Sequence, residues 1–190
     1  MRALQNMQRK NVTENIRLFI GFKLPDDILE RILRLQKSYK RAFPGLRLIK
    51  KENLHSTLLF LGACPREKTG LILDKLKAAQ KMMPLTIKLD GLLYLPSSEN
   101  ARVFSVKLTD HAGRLNRAYL MLYNEIRDLG IDLEVREFLP HISFARRRKP
   151  ITVTMPPAAE IIRNVSFDLN KLSLFQSVTY QTGAEYIVLN

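Results

Sequence analysis

Tryptophan is absent from this 190-residue chain, cysteine occurs once, histidine three times and glycine eight times. A lone cysteine, Cys64, excludes an intrachain disulfide and with it the disulfide-stapled class of small secreted domains. Its apolar neighbours suit packing rather than reactivity. Acidic residues are also scarce, 18 Asp+Glu against 31 Lys+Arg, for a net charge of +13. A field of that sign concentrates polyanions, nucleic acid first and an anionic membrane surface second. No apolar run can cross a bilayer. The first, Ile16 to Phe22, is too short and contains Arg17. The polar segment before it lacks a signal-peptide layout, so a cytoplasmic protein is expected. Low-complexity segments and long linkers are missing as well. With 46% hydrophobic residues, the chain has enough for one sizeable core. The expectation is a loosely ordered extension over residues 1–15 and a single domain over 16–190.

Periodicity assigns the elements. Arg17 to Lys23 is β-branched and aromatic enough for a first strand. Pro25-Asp26-Asp27 then opens a helix, because carboxylates suit the unpaired amides and positive dipole end of its first turn. Ile28, Ile32 and Leu35 recur at helical spacing, to a stop at Pro44-Gly45. A short extended piece at Leu46 to Ile49 and a polar turn lead to a strand from Leu54 that Gly62 should end. Pro65-Arg66-Glu67 opens a second helix, ended by Pro84. Leu85 to Leu95 alternates as a strand with a bulge at Gly91, and Ala101 to Leu108 returns as another. Asp110 is placed to cap a third helix ending at Gly130. A strand around His141, a basic run Arg146 to Lys149 closed by Pro150, a loop with a short helix near Ala158 to Ile162, one long alternating strand over Ser166 to Ser177, a turn near Gly183 and a last strand over Glu185 to Leu189 complete the chain. This order fits an α+β protein better than a doubly wound parallel sheet.

Chemistry concentrates on two of the three histidines. Leu54-His55-Ser56-Thr57-Leu58 and Pro140-His141-Ile142-Ser143-Phe144 share one pattern: a histidine and, two residues later, a hydroxyl, within an apolar strand. Alternation puts His55 with Thr57 on one face and His141 with Ser143 on another. Each histidine alone is better explained as an ordinary strand-edge residue; a matched pair in so histidine-poor a chain is not. If the strands meet, two imidazoles and two hydroxyls share a cleft. Opening a cyclic phosphodiester needs one proton taken from water and one given to the leaving oxygen, and imidazole does either near neutrality. The hydroxyls can hold nonbridging phosphate oxygens. His111, beside Asp110, reads as a surface residue.

Together with Arg17-Leu18-Phe19-Ile20-Gly21-Phe22-Lys23-Leu24-Pro25, the block Glu52 to Gly62, Pro140 to Arg146 and the closing Leu174-Phe175-Gln176-Ser177 with Gly183 and Tyr186, these motifs resemble the two-histidine (2H) phosphoesterase superfamily. Within it they are most similar to the RNA 2′,3′-cyclic phosphodiesterases, also called 2′-5′ RNA ligases. The resemblance spans residues 16 to 189. It implies a bilobal α+β fold of mainly antiparallel strands, with two pseudo-symmetric lobes, outer helices and a central cleft. It implies hydrolysis of RNA 2′,3′-cyclic phosphate ends to a 2′-phosphate by a monomer without metal or cofactor, with reversible 2′-5′ ligation as a second activity. By position, His55 would be the proton donor and His141 the proton acceptor, while Thr57 and Ser143 would hold the phosphate. Arg146 matches a family arginine on the phosphate, and Phe19 an aromatic that stacks on the terminal base. Ser143 stands where threonine is usual; serine keeps the hydroxyl but loses the β-branch that fixes its rotamer. Strict alternation would put Arg146 on the face opposite His141, so it reaches the cleft only through a strand end or a bulge. Phe19 is equally well explained as a core residue. The run Arg146 to Lys149 is either a solvated loop or a track for backbone phosphates.

Two other functions use the same residues: a cyclic-phosphate hydrolase acting on a small nucleotide, and a non-catalytic RNA- or nucleotide-binding module. The +13 charge disfavours the first, since a small substrate needs no broad basic surface. The intact acid–base pair disfavours the second.

Overall fold

The computed structural model describes residues 14–134, 136–181 and 183–190. Most of the expected N-terminal extension therefore lies outside the described residues, and its last member, Asn15, already belongs to strand β1 (Asn15–Lys23). Helix α1 (Asp26–Ala42) follows Pro25, with Asp26 and Asp27 in its first turn and Lys40 and Arg41 in its last. Both charge placements oppose the helix dipole. Its buried stripe is Ile28, Ile32, Leu35, Gln36 and Tyr39. The two-residue strand β2 (Arg47–Leu48) and a 3-10 turn over Lys51–Asn53 lead into β3 (His55–Pro65). Next come α2 (Thr69–Gln80), β4 (Leu85–Leu95), β5 (Ala101–Thr109), α3 (Arg114–Arg127) and β6 (His141–Ile151). A 3-10 turn at Ala159–Ile162 precedes β7 (Ser166–Leu169), β8 (Leu172–Tyr180) and β9 (Gly183–Val188).

All strand pairings are antiparallel, in the order β7-β4-β5-β6-β3-β1-β8-β9, with β2 beside β6. The path divides into two four-stranded halves, β3-β1-β8-β9 and β6-β5-β4-β7. They join where Ser56 pairs with Ile142. The two histidine strands thus form the inner edges of the halves, and the bilobal α+β architecture expected from the sequence holds. The helices cross-cover it: α1 packs on β6, whereas α2 and α3 pack on each other and reach β8 and β3.

Three expectations change. The one strand expected over Ser166 to Ser177 is two, β7 and β8, which belong to different halves of the sheet. Gly62 does not end the strand; at φ +71° it sits inside β3, which continues to Pro65 beside β1. Glycine adopts that conformation without the Cβ penalty, so the chain jogs rather than stops. The basic run is likewise not a loop, because β6 continues through it to Ile151. The bulge expected near Gly91 is present, as a register shift between Leu89 and Leu92 against β5. Asp110 caps α3 from a distance: it accepts the Arg114 backbone N–H, while Gly113 occupies the cap position.

Candidate active site

A cavity of about 270 Å³ opens over the seam between β3 and β6. His55, Thr57, His141, Ser143, Arg146 and Phe19, the six residues singled out from the sequence, all line it. Among the described residues no carboxylate lines it, and Arg17 adds a second guanidinium to its wall.

The imidazoles are held alike. His55 donates Nδ1–H to the carbonyl of Asn53 at 2.7 Å, and His141 donates Nδ1–H to the carbonyl of Leu139 at 2.7 Å. A carbonyl only accepts, so each neutral ring carries its proton on Nδ1 and offers a bare Nε2. The His55 Nε2 accepts from the Thr57 hydroxyl at 3.0 Å. Asn53 is itself buried, its side-chain amide donating to the Ala184 carbonyl at 2.7 Å. Burial chiefly holds the His55 pKa below the ordinary imidazole value, and the charges of His141 and Arg146 act in the same direction, against the Asn53 bond. In the free protein at neutral pH, His55 is therefore neutral. A bound phosphate would oppose this and favour its protonation.

Bulges explain how Arg146 reaches the cleft. Against β5, Ser143 pairs with Ser105 and Ala145 with Phe104, which leaves Phe144 as an extra residue. Phe144 and Ala145 are both buried, alternation slips by one, and Arg146 rejoins the face of His141 and Ser143. The same device operates in β3. Thr57 pairs with Gly21 and Leu59 with Ile20, Leu58 is extra, and Phe60 turns into the cleft. Phe60 is thus the counterpart of Arg146, an aromatic 53% exposed at the cavity wall. The β6 bulge is fastened by α1: the Gln36 amide donates to the carbonyls of Phe144 at 2.8 Å and Ile49 at 2.7 Å. Of the remaining basic run, Arg147 donates to the Pro44 carbonyl at 2.7 Å, and Arg148 and Lys149 are exposed along β6.

Phe19 is only 3% exposed. Its ring stacks on Phe175 at 4.8 Å and 6°, with Tyr186 edge-on at 5.1 Å and His55 at 4.9 Å. It forms the floor behind the histidine, and the accessible aromatic surface belongs to Phe60. The Ser143 hydroxyl lies 3.2 Å from that of the fully buried Ser105. This bond fixes a rotamer that serine, unlike threonine, does not fix by branching. At the matching position in the other half stands Gly21, where a Cβ would lie 2.5 Å from the Ser56 carbonyl oxygen. His111 is exposed in the turn before α3. Among the described residues, no group of three or more His, Cys, Asp or Glu is placed to hold a metal ion, and no helix is long and apolar enough to cross a membrane.

Phe60, Ser105 and Gly21 were not among the residues singled out from the sequence. The first had a readable signal. Superposing the motifs, His-x-Thr-Leu-Leu-Phe on His-x-Ser-Phe-Ala-Arg, puts Phe60 at the place of Arg146. Ser105 and Gly21 had none, because their importance comes from cross-strand register.

Comparison with known proteins gives concordant relatives. Residues 22–105 match the family model described as LigT like Phosphoesterase. A Methanocaldococcus jannaschii protein named RNA 2′,3′-cyclic phosphodiesterase is 33% identical over 135 residues, 69% of this chain and 71% of its own. One of the same name from Archaeoglobus fulgidus is 27% identical over 177 residues, 90% of this chain and 96% of its own. Among solved structures, a Thermus thermophilus protein superposes with a TM-score of 0.80 at 27% identity, covering 92% of this chain and 96% of that one. E. coli LigT complexed with 3′-AMP gives a TM-score of 0.75 at 27% identity, covering 93% and 97%.

Proposed function

Because this chain belongs to the LigT-like phosphoesterase family, we propose that it opens RNA 2′,3′-cyclic phosphate ends to a 2′-phosphate with its two histidines as acid and base. The observation that carries this reading is the matched anchoring of His55 and His141, each tied through Nδ1–H to a backbone carbonyl and lining one cavity. The relatives' name supports the RNA end as substrate, and the net charge of +13 suits a polyanion.

In this reading the His141 Nε2 takes a proton from water as the water oxygen attacks phosphorus. The P–O3′ bond breaks, and O3′ takes the proton of His55 Nε2–H. The products are a 2′-phosphate and a free 3′-hydroxyl, with His141 protonated and His55 neutral until solvent resets them. A pKa held below the ordinary value makes protonated His55 a readier donor, and the phosphate raises its protonated fraction on binding. Thr57, Ser143 and Arg146 hold the nonbridging oxygens, where charge persists through the transition state. Phe19 backs His55, and Phe60 offers the terminal base a face to stack on. With a 5′-hydroxyl in place of water, the same geometry carries the 2′-5′ ligation: His141 takes the hydroxyl proton as its oxygen attacks phosphorus, the P–O3′ bond breaks, and O3′ takes the proton of His55. Attack of that 3′-hydroxyl on the 2′-5′ linkage reverses the step and restores the cyclic phosphate. Residues 16–190 act as one bilobal domain in a cytoplasmic monomer, a compartment consistent with its buried free cysteine.

The test is an oligoribonucleotide ending in a 2′,3′-cyclic phosphate, incubated with protein and a chelator. Wild-type protein should open the ring, and His55→Ala and His141→Ala should each lose at least about 10²-fold. No ring opening by the wild type overturns the reading, and a fully active single variant removes that histidine from the mechanism.

A further inference from the structure

The cleft does not end at the catalytic pair. Beyond Arg146 lies a second cavity, of about 440 Å³, that shares Ile49, Arg146 and Tyr186 with the first. Arg47 and Lys50 bring two further cations to its lining, in which no carboxylate stands among the described residues. Among the described residues, neither side chain is within ion-pair distance of an acid. A concavity that gathers three cations focuses their field between its walls and attracts an anion.

The walls of this cavity are built rather than incidental. Arg47 pairs with Arg146 through the β2–β6 register. Ile49 donates its backbone N–H to the Phe144 carbonyl at 3.0 Å and accepts from Gln36 at 2.7 Å. On the facing side, the Asn53 amide clamps the start of β9 through the Ala184 carbonyl at 2.7 Å. The same residues that fasten Arg146 and His55 therefore fasten this cavity, and the two are held in fixed relation. One cavity can take a terminal nucleotide with its cyclic phosphate; the other continues from the phosphate-binding Arg146 into a second cationic hollow with Tyr186 between them.

We infer that the Arg47–Lys50 cavity binds the phosphodiester and nucleoside immediately 5′ of the cyclic-phosphate nucleotide, so that a dinucleotide end is opened more efficiently than a mononucleotide. This rests on the phosphodiesterase reading and deepens it. A mononucleoside cyclic phosphate fills only the first cavity; a dinucleotide fills both and gains charge-assisted contacts that the first lacks.

The experiment compares a mononucleoside 2′,3′-cyclic phosphate with a dinucleotide carrying the same end, on wild type and on the double variant Arg47→Gln/Lys50→Gln. Wild type should prefer the dinucleotide by about tenfold or more in kcat/KM, from one charge-assisted hydrogen bond or more. The double variant should lose most of that preference while opening the mononucleotide within about twofold of wild type. A dinucleotide with an uncharged methylphosphonate linkage should behave like the mononucleotide. The salt slope of log affinity should flatten by about 0.7 for each phosphate contact removed. An equal loss on both substrates, or no dinucleotide preference in wild type, overturns the subsite. If neither substrate is opened, the phosphodiesterase reading itself has failed. The subsite is then decided by the affinities of 3′-phosphorylated mono- and dinucleotides for the same two proteins, and equal affinities overturn it.

Discussion

Gly21 offers the most direct test of how the sheet positions the chemistry. It stands opposite Thr57 in the β1–β3 register. An alanine Cβ there would lie 2.5 Å from the Ser56 carbonyl oxygen, 3.3 Å from Thr57 Cα and 3.4 Å from the Ser56 carbonyl carbon. All three are backbone atoms, so no rotamer change relieves the clash and β3 itself must retreat. Bringing the nearest contact from 2.5 Å to an ordinary one of about 3.4 Å requires roughly 0.9 Å of movement. That movement falls on Ser56, the residue joining the two halves, and on its neighbours His55 and Thr57. Overpacking of this kind costs about 1–3 kcal/mol, which for a chain of this size lowers Tm by about 2–12 °C. A displacement near 1 Å at reacting groups costs about 10²-fold in rate. Gly21→Ala should therefore stay folded at 25 °C, melt earlier and open cyclic-phosphate ends about 10²-fold more slowly. Gly70→Ala is the control: in α2 a Cβ meets nothing within 4 Å, and alanine favours a helix by about 0.8–1 kcal/mol over glycine. It should raise Tm slightly and leave the rate unchanged. Wild-type kcat/KM in Gly21→Ala would refute the claim that this close approach sets the position of the catalytic strand.

Ser105→Ala removes the partner of the Ser143 hydroxyl. A neutral hydrogen bond worth about 0.5–1.5 kcal/mol implies a fall in kcat of up to about tenfold with KM little changed. The fall should vanish in a Ser143→Ala background; additive losses in the double variant would contradict the positioning role. Gln36→Leu leaves the Ile49 carbonyl without its side-chain donor and loosens the Phe144 bulge. The expected loss is about 1–3 kcal/mol, seen in urea unfolding, with a drop in activity no larger than that of Arg146→Ala; unchanged stability would show the bulge to be self-supporting. The depressed His55 pKa gives stability that is fully present above the unfolded-state value of about 6.5 and is lost as pH falls through the folded value. His55→Gln should flatten that acid-side loss in melts taken between pH 8 and 5, and an unchanged slope would assign it elsewhere. Followed by NMR, the His55 ring should titrate below the ordinary imidazole range, and higher in Arg146→Gln, where one repelling charge is gone.

Much of this molecule can be read from local pattern. The apolar stripe of α1, the proline and acid at its start, the alternation of β4 and its bulge at Gly91 all depend on neighbours within a few residues. The bulges in β3 and β6 are harder to see, because an extra residue inside an apolar run changes no composition. Leu58-Leu59 and Phe144-Ala145 look like continuous strand, yet each shifts every later side chain to the other face. Strict alternation therefore sent Arg146 away from His141 and gave no reason to notice Phe60. Gly62 misled in the opposite way, since a residue that can end a strand can also carry a positive φ within one.

By itself the sequence determined the helices, most of the strands and which residues can do chemistry, since those follow from short-range periodicity and from two matched histidine motifs. Only the tertiary structure decided that the motifs form adjacent inner strands joined at Ser56 and Ile142, that each imidazole is locked through Nδ1–H, and that Phe19 is floor rather than surface. The physical reason is that pairing partners, bulges and burial come from contacts between residues far apart in the chain, whereas helix and strand preference is written in their neighbours.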